Sequence, residues 1–502
     1  MVDNIGHAYT KPNENDLEFF ESVVGRANVS ANPAIMQSYL SKSVMGLEST
    51  TPDIVVKPKY TEEIRKILVH CSARKIAVSP ISAGLSGGFA CPLIKPAGVL
   101  LDMQRMNRIV EVDEDNRYVV IEPGVTAGEI WSFFQKYHPD WAPPIADGAP
   151  PAATIMGDAI ERGFSLITSS VGPQGENVQG LEVVVPRGDI IRTGTWALNG
   201  AKPFYRWGLG PEIFSCFMGS QGTMGVVTKA AIKIFPHPHA KTIVAWAMDN
   251  PYDMQDLTLE VSKKEFGISH NCVMVQGGNW PLVQTRFPKE KVPHGYEFWE
   301  QQGIPQWWMN FEVWAQSEEE MEHVVSEIDR IAGEYKDGGK AKSPDSIKKW
   351  ELHPAQIAAR LKKPNKIAIA YSLWEAGFLF ITWYTPWKDC AEFSVMYNKV
   401  LEKYGFPPVM WIASIERARQ AICMPIICFD SSRPEQLDAV QAVNRETTEM
   451  FLPRGWINYR PDPYIHAPMT YAMAGTYYKY LKMVKEMFDP NYIMHPGRLC
   501  LP

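Results

Sequence analysis

Three glycine-bearing loops, each set against a strand-like run, constrain this chain more than any other feature of it. The first, Ser79-Pro80-Ile81-Ser82-Ala83-Gly84-Leu85-Ser86-Gly87-Gly88-Phe89, follows the strand end Ile76-Ala77-Val78. Glycines at 84, 87 and 88 let the backbone take positive φ and bring its N–H groups close to an anion, as a pyrophosphate requires. A single loop of this kind is more often a plain turn between strands. Here a second loop, Ser169-Ser170-Val171-Gly172-Pro173-Gln174-Gly175-Glu176-Asn177, leads into a strand at Leu181. A third, Gly219-Ser220-Gln221-Gly222-Thr223-Met224-Gly225-Val226-Val227-Thr228, runs into Ala231-Ile232-Lys233-Ile234-Phe235-Pro236. Three such loops in one domain suit a long dinucleotide better than a single phosphate.

At 502 residues the chain exceeds what one hydrophobic core supports, so at least two domains with a crevice between them are expected. From Ile54 to Pro236 strand-like runs alternate with turns and helical stretches. Gly98-Val99-Leu100-Leu101-Asp102 and Tyr118-Val119-Val120-Ile121-Glu122 read as short buried strands, and Leu181-Glu182-Val183-Val184-Val185 ends in the turn Pro186-Arg187-Gly188-Asp189. Beyond Pro236 two stretches each place a strand before a helix, which suggests an antiparallel sheet with helices on one face. In the first, Trp308 to Ala315 precedes Ser317, whose spacing to Glu320 fits a capping box; Met321, Val324, Val325, Ile328 and Ile331 then share a helical face. The second runs from Ala421 to Phe429, then through a helix from Pro434 to Phe451. The expected division is residues 1–236, an inserted cap at 237–455, and a return to the first domain at 456–502.

Hydrophobic content of 45%, charged content of 21% and a net charge of -6 leave no cationic field for nucleic acid or an acidic membrane surface. No stretch reads as a bilayer span or a secretory leader, so a cytoplasmic protein with no membrane partner is expected. Eight cysteines without a CxxC pair argue against a disulfide framework and against a thiolate metal site; no metal is expected.

The order of the loops, with Glu122-Pro123-Gly124-Val125 and the terminal Pro496-Gly497-Arg498, resembles the FAD domain of the vanillyl-alcohol oxidase and para-cresol methylhydroxylase (PCMH) superfamily, over nearly the whole chain. The resemblance implies an α+β fold: a two-lobed PCMH-type FAD-binding domain with an inserted α+β cap domain, an antiparallel sheet flanked by helices. It implies that Pro80, Ile81, Ser82, Ala83, Gly84, Leu85, Ser86, Gly87 and Gly88 cradle the pyrophosphate. Pro123, Gly124, Gly172, Glu176, Gly222, Gly225, Val226 and Val227 would line the rest of FAD, with Arg498 near the isoalloxazine. The family usually offers a histidine for covalent attachment. Here Phe89 follows Gly87-Gly88, and the matching cap stretch reads Arg419-Gln420-Ala421-Ile422-Cys423-Met424-Pro425. Noncovalent FAD is therefore expected, with Cys423 a buried free thiol.

Asn458-Tyr459-Arg460 resembles the Tyr-Arg pair that holds the phenolate oxygen in the phenol-oxidising, eugenol-oxidase-like branch of the family. Taking a hydride from the carbon para to a phenol is easier when the oxygen is an anion, and an arginine with a phenol O–H stabilises that charge. Without the resemblance, an arginine in a surface salt bridge beside a packed tyrosine is the plainer reading. Two departures stand out: Phe89 occupies the place of a second phenolate-binding tyrosine, and Ala149 that of the carboxylate near the flavin N5, with Asp147 two residues earlier. Asp147 is either that carboxylate or a turn residue before Gly148. His466 is a candidate proton acceptor, and Trp307, Trp308, Trp314, Trp383 and Trp411 are candidate pocket walls, most of them core.

The leading expectation is an FAD-dependent oxidase or dehydrogenase of a para-substituted phenol, an alkylphenol or benzylic alcohol. A D-lactate or glycolate type 2-hydroxy-acid dehydrogenase competes, although the metal-binding histidine cluster usual there is not found. A flavin-fold binding subunit without chemistry is the third. Oxygen or an electron-acceptor protein, and a monomer or a homodimer, stay open.

Overall fold

The computed structural model describes residues 8–40, 50–84, 98–146, 150–165, 167–266, 272–276, 307–342, 376–406, 408–430 and 432–502. Leu85 to Phe89, Asp147 and Ala149 lie outside them.

The run 50–236 builds two main sheets and a two-stranded pair of Trp141–Ala142 with Phe235–Pro236. In the first, Ile54–Val56, Val99–Asp102 and Val78–Ile81 pair in parallel, with Val29–Ser30 antiparallel at the edge. All three parallel strands are short apolar runs, and the helix Thr61–Arg74 packs Ile64, Ile67 and Leu68 into the same core, as a parallel sheet covered by a crossover helix requires. The second sheet is antiparallel in the order Ile109–Asp113, Tyr118–Ile121, Val226–Lys233, Val178–Val184, Ile190–Arg192. The turn after Val184 closes at Gly188, with φ +92° and its N–H on Val185 O at 2.9 Å.

A larger antiparallel sheet runs from the edge strand Ala341–Lys342 through Ala240–Met248, Trp307–Ala315, Cys272–Gln276, Met410–Ile415, Gln420–Asp430 and Trp383–Pro386 to Ile457–Asn458. Four of its strands are each followed by a helix: Pro251–Ser262, Glu318–Asp337, Cys390–Lys403 and Pro434–Phe451. Ser317 Oγ accepts from Glu320 N at 3.1 Å, while the Glu320 carboxylate reaches past the cap to Gln316 N at 2.8 Å. Side chains alternate with the pleat. Val244, Trp246, Met410, Ile412, Ala421 and Cys423 face the helices, whereas Ala245, Ala247, Trp411, Ala413, Ile422 and Met424 form a second apolar face. That second face also contains Tyr459 and Phe164.

The C-terminal segment runs beside the first sheet. Val78 N donates to Ile493 O at 2.7 Å and His495 N to Val78 O at 2.8 Å. The turn after the helix Gly475–Phe488 is closed by Tyr492 N on Asp489 O at 3.0 Å. Lys485, fully buried, donates to Thr223 O at 2.8 Å, to Met494 O at 2.9 Å and to the Asp489 carboxylate. Among the described residues no helix is long and apolar enough to cross a membrane.

Candidate flavin and substrate site

A cleft opens where the two small sheets, the C-terminal segment and the Tyr459-Arg460 segment meet. It is lined by Pro80, Ile81, Ser82, Ala83 and Gly84 from the first loop, Pro123, the segment from Ala153 to Glu161, Gln221, Gly222, Gly225, Val226, Val227, Arg460 and His495. Its floor packs glycine backbone tightly against side chains of the facing loop. Gly222 has φ +75°, and a Cβ there would stand 2.9 Å from Pro80 Cγ; a Cβ on Gly157 would stand 2.7 Å from Ser82 Oγ. Thr154 Oγ1 donates to Ser82 Oγ at 2.7 Å. Gly222→Ala therefore meets both a strained backbone and the proline of the facing loop. Its expected cost is about 1–3 kcal/mol with weaker FAD retention, read by thermal unfolding with and without added FAD.

Glu161 Oε2, Arg162 Nε, His495 Nε2 and Arg498 Nε are among the buried polar atoms that have no hydrogen-bond partner among the described residues. Two of these residues, Glu161 and His495, line the cleft. His495 Nδ1 lies 2.9 Å from Gln221 O, and since a carbonyl only accepts, Nδ1 carries the proton and Nε2 is an acceptor. Burial, reinforced by Arg498, pushes His495 down to about 3, so the ring stays neutral. Polar atoms stripped of water and left without protein partners mark the place of a polar ligand.

Arg460 is the cation of the cleft. Its side chain is 7% exposed; Nη2 donates to Tyr459 Oη at 2.8 Å and to Asp158 Oδ1 at 3.4 Å, and Nε to Glu161 O at 3.1 Å. The guanidinium also lies 4.5 Å from the Tyr459 ring centroid. Tyr384 meets the Tyr459 ring edge to face at 5.4 Å, and Arg162 Nη2 holds Tyr459 O at 3.2 Å. Asp158 Oδ2 accepts from Gln174 Nε2 at 2.6 Å. Burial pushes Asp158 up to about 6 despite the opposing pull of Arg460, and raises Glu161 likewise. Burial pushes Tyr384 up to about 12 and holds Tyr459 well above the usual phenol range. Both phenols keep their protons and can donate.

Several expected residues lie elsewhere. Gly172, with φ +81°, packs against Glu416 where the helix Thr168–Val171 meets the cap strand Met410–Ile415. Glu176 is exposed and ion-paired to Arg206 at 2.9 Å. Gly124 packs under Gln104 and Met106, where a Cβ would stand 2.5 Å from Gln104 O. His466 is buried away from the cleft lining: Nδ1 lies 2.6 Å from the Asp462 carboxylate and Nε2 3.3 Å from Asn458 Nδ2. Burial works against the Asp462 charge, yet His466 and three backbone N–H groups hold that carboxyl well below its usual range. This clamp supports the segment that presents Tyr459 and Arg460. Trp307 and Trp383 are buried on the helix-covered face; Trp411 stands on the other, 4.9 Å from Phe164. Cys423 is fully buried, its thiol pushed up to about 12 by burial, and does not line the cleft.

The sequence family described as an FAD binding domain matches residues 52–194. The chain is 23% identical over 510 residues to the 4-cresol dehydrogenase [hydroxylating] flavoprotein subunit of Pseudomonas putida, covering 96% of this chain and 94% of that protein. It is 22% identical over 517 residues to a D-lactate dehydrogenase of Anaerostipes hadrus, covering 98% and 99%. The solved structure of p-cresol methylhydroxylase with substrate bound superposes at a TM-score of 0.83 with 20% identity, over 97% of this chain and 96% of that one. The cleft takes part of its lining from the matched FAD-binding segment, and the chain is an FAD-dependent oxidoreductase. Its α+β fold is that of the p-cresol methylhydroxylase and vanillyl-alcohol oxidase flavoproteins.

Proposed function

We propose that the protein oxidises a para-substituted phenol, with Tyr459 and Arg460 holding the substrate oxygen as an anion. The observation that carries this is the joined pair itself. A buried arginine bonded to a tyrosine O–H at 2.8 Å stands at the cleft wall, next to an apolar sheet face that includes Trp411, Ile422 and Met424. Such a site offers a charge for the oxygen and an apolar surface for a ring.

The loop from Pro80 to Gly84, with Gly222, Gly225, Val226, Val227 and His495, would hold FAD, which when bound supplies the acceptor for a hydride. The rest falls to the chain. Arg460 offsets the negative charge on the oxygen, Tyr459 donates its retained proton to it, and the Asp462-His466-Asn458 clamp fixes both. Arg498, buried near Glu161, would face the cofactor rather than the substrate. Anaerobic reduction with a panel of para-alkylphenols and 2-hydroxy acids tests the reading; reduction by a 2-hydroxy acid alone would replace it. That second reading draws on the full-length D-lactate dehydrogenase relative and on Arg460, which fits a carboxylate as well as a phenolate. An electron-acceptor protein fits the relative named as a flavoprotein subunit.

FAD should be noncovalent, because Cys423 is walled into the cap core and protonated. Acid precipitation is expected to release all yellow colour to the supernatant. Colour kept in the pellet would show a covalent bond to another residue.

A further inference from the structure

Resting on that reading, we propose that Asp158 accepts the proton of the substrate hydroxyl as the substrate oxygen takes its place beside Arg460. The substrate O–H bond breaks, the electron pair stays on oxygen, and an O–H bond forms on the Asp158 carboxylate. No charge enters or leaves the cleft and no oxidant is needed. Three observations converge on this residue. Asp158 lines the cleft, its side chain 21% exposed, and it shares Arg460 Nη2 with Tyr459. Its contact to Arg460, at 3.4 Å, is the longest of the three that the guanidinium makes to Tyr459, Glu161 and Asp158, and so the easiest to give up. Its other oxygen stays anchored on Gln174 Nε2 at 2.6 Å whether or not it carries a proton.

The surrounding charges favour the exchange. Glu161 lies on the same stretch, Arg460 and Tyr459 face Asp158 from the return segment and Tyr384 from the strand Trp383–Pro386, while Arg162 and Arg498 lie beside Glu161. A phenolate placed beside the ionised Asp158 carboxylate would be repelled by it, and a proton on Asp158 removes that repulsion. Burial already holds Asp158 near 6, where taking that proton costs little at neutral pH. Glu161 is the less suited carboxylate, being bonded to Gln221 N at 2.9 Å and not to the guanidinium.

The FAD-loaded protein is titrated with 4-hydroxyacetophenone, which has no hydride to give, while the phenolate absorbance and the proton release to a weak buffer are followed. The parent should show the phenolate band with no proton released, and an affinity flat in pH between about 6 and the ligand's own pKa. Below that window affinity should fall about tenfold per unit as a proton begins to be released. In Asp158→Asn either the band disappears or one proton is released per ligand, with affinity climbing about tenfold per pH unit. Glu161→Gln, although it changes the cleft lining and its affinity, should still show the phenolate band with no proton released. A phenolate band in Asp158→Asn with flat affinity and no proton release overturns the assignment, as does loss of the band in Glu161→Gln alone. Should Asp158→Asn lose FAD, the parent still decides, because a proton released per ligand at neutral pH refutes the exchange. Failure of the parent to bind the ligand at all would instead refute the phenol reading.

Discussion

Replacing Arg460 with Met is expected to leave FAD bound and to slow flavin reduction by a para-alkylphenol about tenfold to a hundredfold or more. The magnitude is that of one charged hydrogen bond lost from the transition state, about 1.5–3 kcal/mol. Methionine keeps the length of the side chain but removes the donors to Tyr459 Oη, Asp158 and Glu161 O. The fold should tolerate this, because Asp158 is already held near 6. Without Arg460 its pKa rises further, so the carboxyl takes up a proton instead of standing as an unpaired buried charge. Anaerobic stopped-flow reduction, with FAD content measured on the same sample, separates the two effects. Equal reduction rates in variant and parent with every active substrate would make Arg460 structural and misplace the pocket.

The glycine loops were legible because glycine carries its reason with it: Gly84, Gly172 and Gly222 all take positive φ, and a Cβ at Gly222 would strike the facing loop. The cap was legible by period, the capped helix after Ser317 and the strand-helix step ending at Phe451 falling where apolar spacing put them. Two further strand-helix steps, Ala240–Met248 with Pro251–Ser262 and Trp383–Pro386 with Cys390–Lys403, escaped that reading. The apolar part of the first, Ile243 to Met248, is continuous and the second is only 4 residues long, and neither pattern declares its partner. The charged part of the site was the least legible. Asp158 and Glu161 sit three residues apart at the end of one helical turn, a spacing that announces a shared face but not what faces it. Tyr384 reaches Tyr459 only because Trp383–Pro386 pairs with Ile457–Asn458, a contact across more than seventy residues. His495 stands just before the terminal Pro496-Gly497-Arg498, and it enters the cleft through its pairing with Val78. His466 drew attention as an imidazole near the Tyr-Arg pair, yet its partners are the neighbouring Asp462 and Asn458.

Replacing Lys485 with Met should destabilise the protein by about 3–5 kcal/mol, the range for removing one member of a buried ion pair. All three ammonium protons are used: on Thr223 O of the third glycine loop, on Met494 O beside the cleft, and on the Asp489 carboxylate. Methionine fills similar space but leaves two carbonyls and a carboxylate buried with fewer donors. Asp489 keeps only its backbone partners, Ile493 N at 3.0 Å and Met494 N at 2.8 Å. The same nitrogen ties the segment that carries His495 to the loop that carries Gly222, so the loss should spread from stability to FAD affinity. Changing Asp489 to Asn as well should recover part of the loss, since it removes the unpaired charge while sparing one acceptor for the backbone. Urea unfolding of the FAD-free and FAD-loaded forms measures both quantities. A loss below about 1 kcal/mol, the scale of an ordinary surface pair, would mean that the lysine is not the pin between these segments.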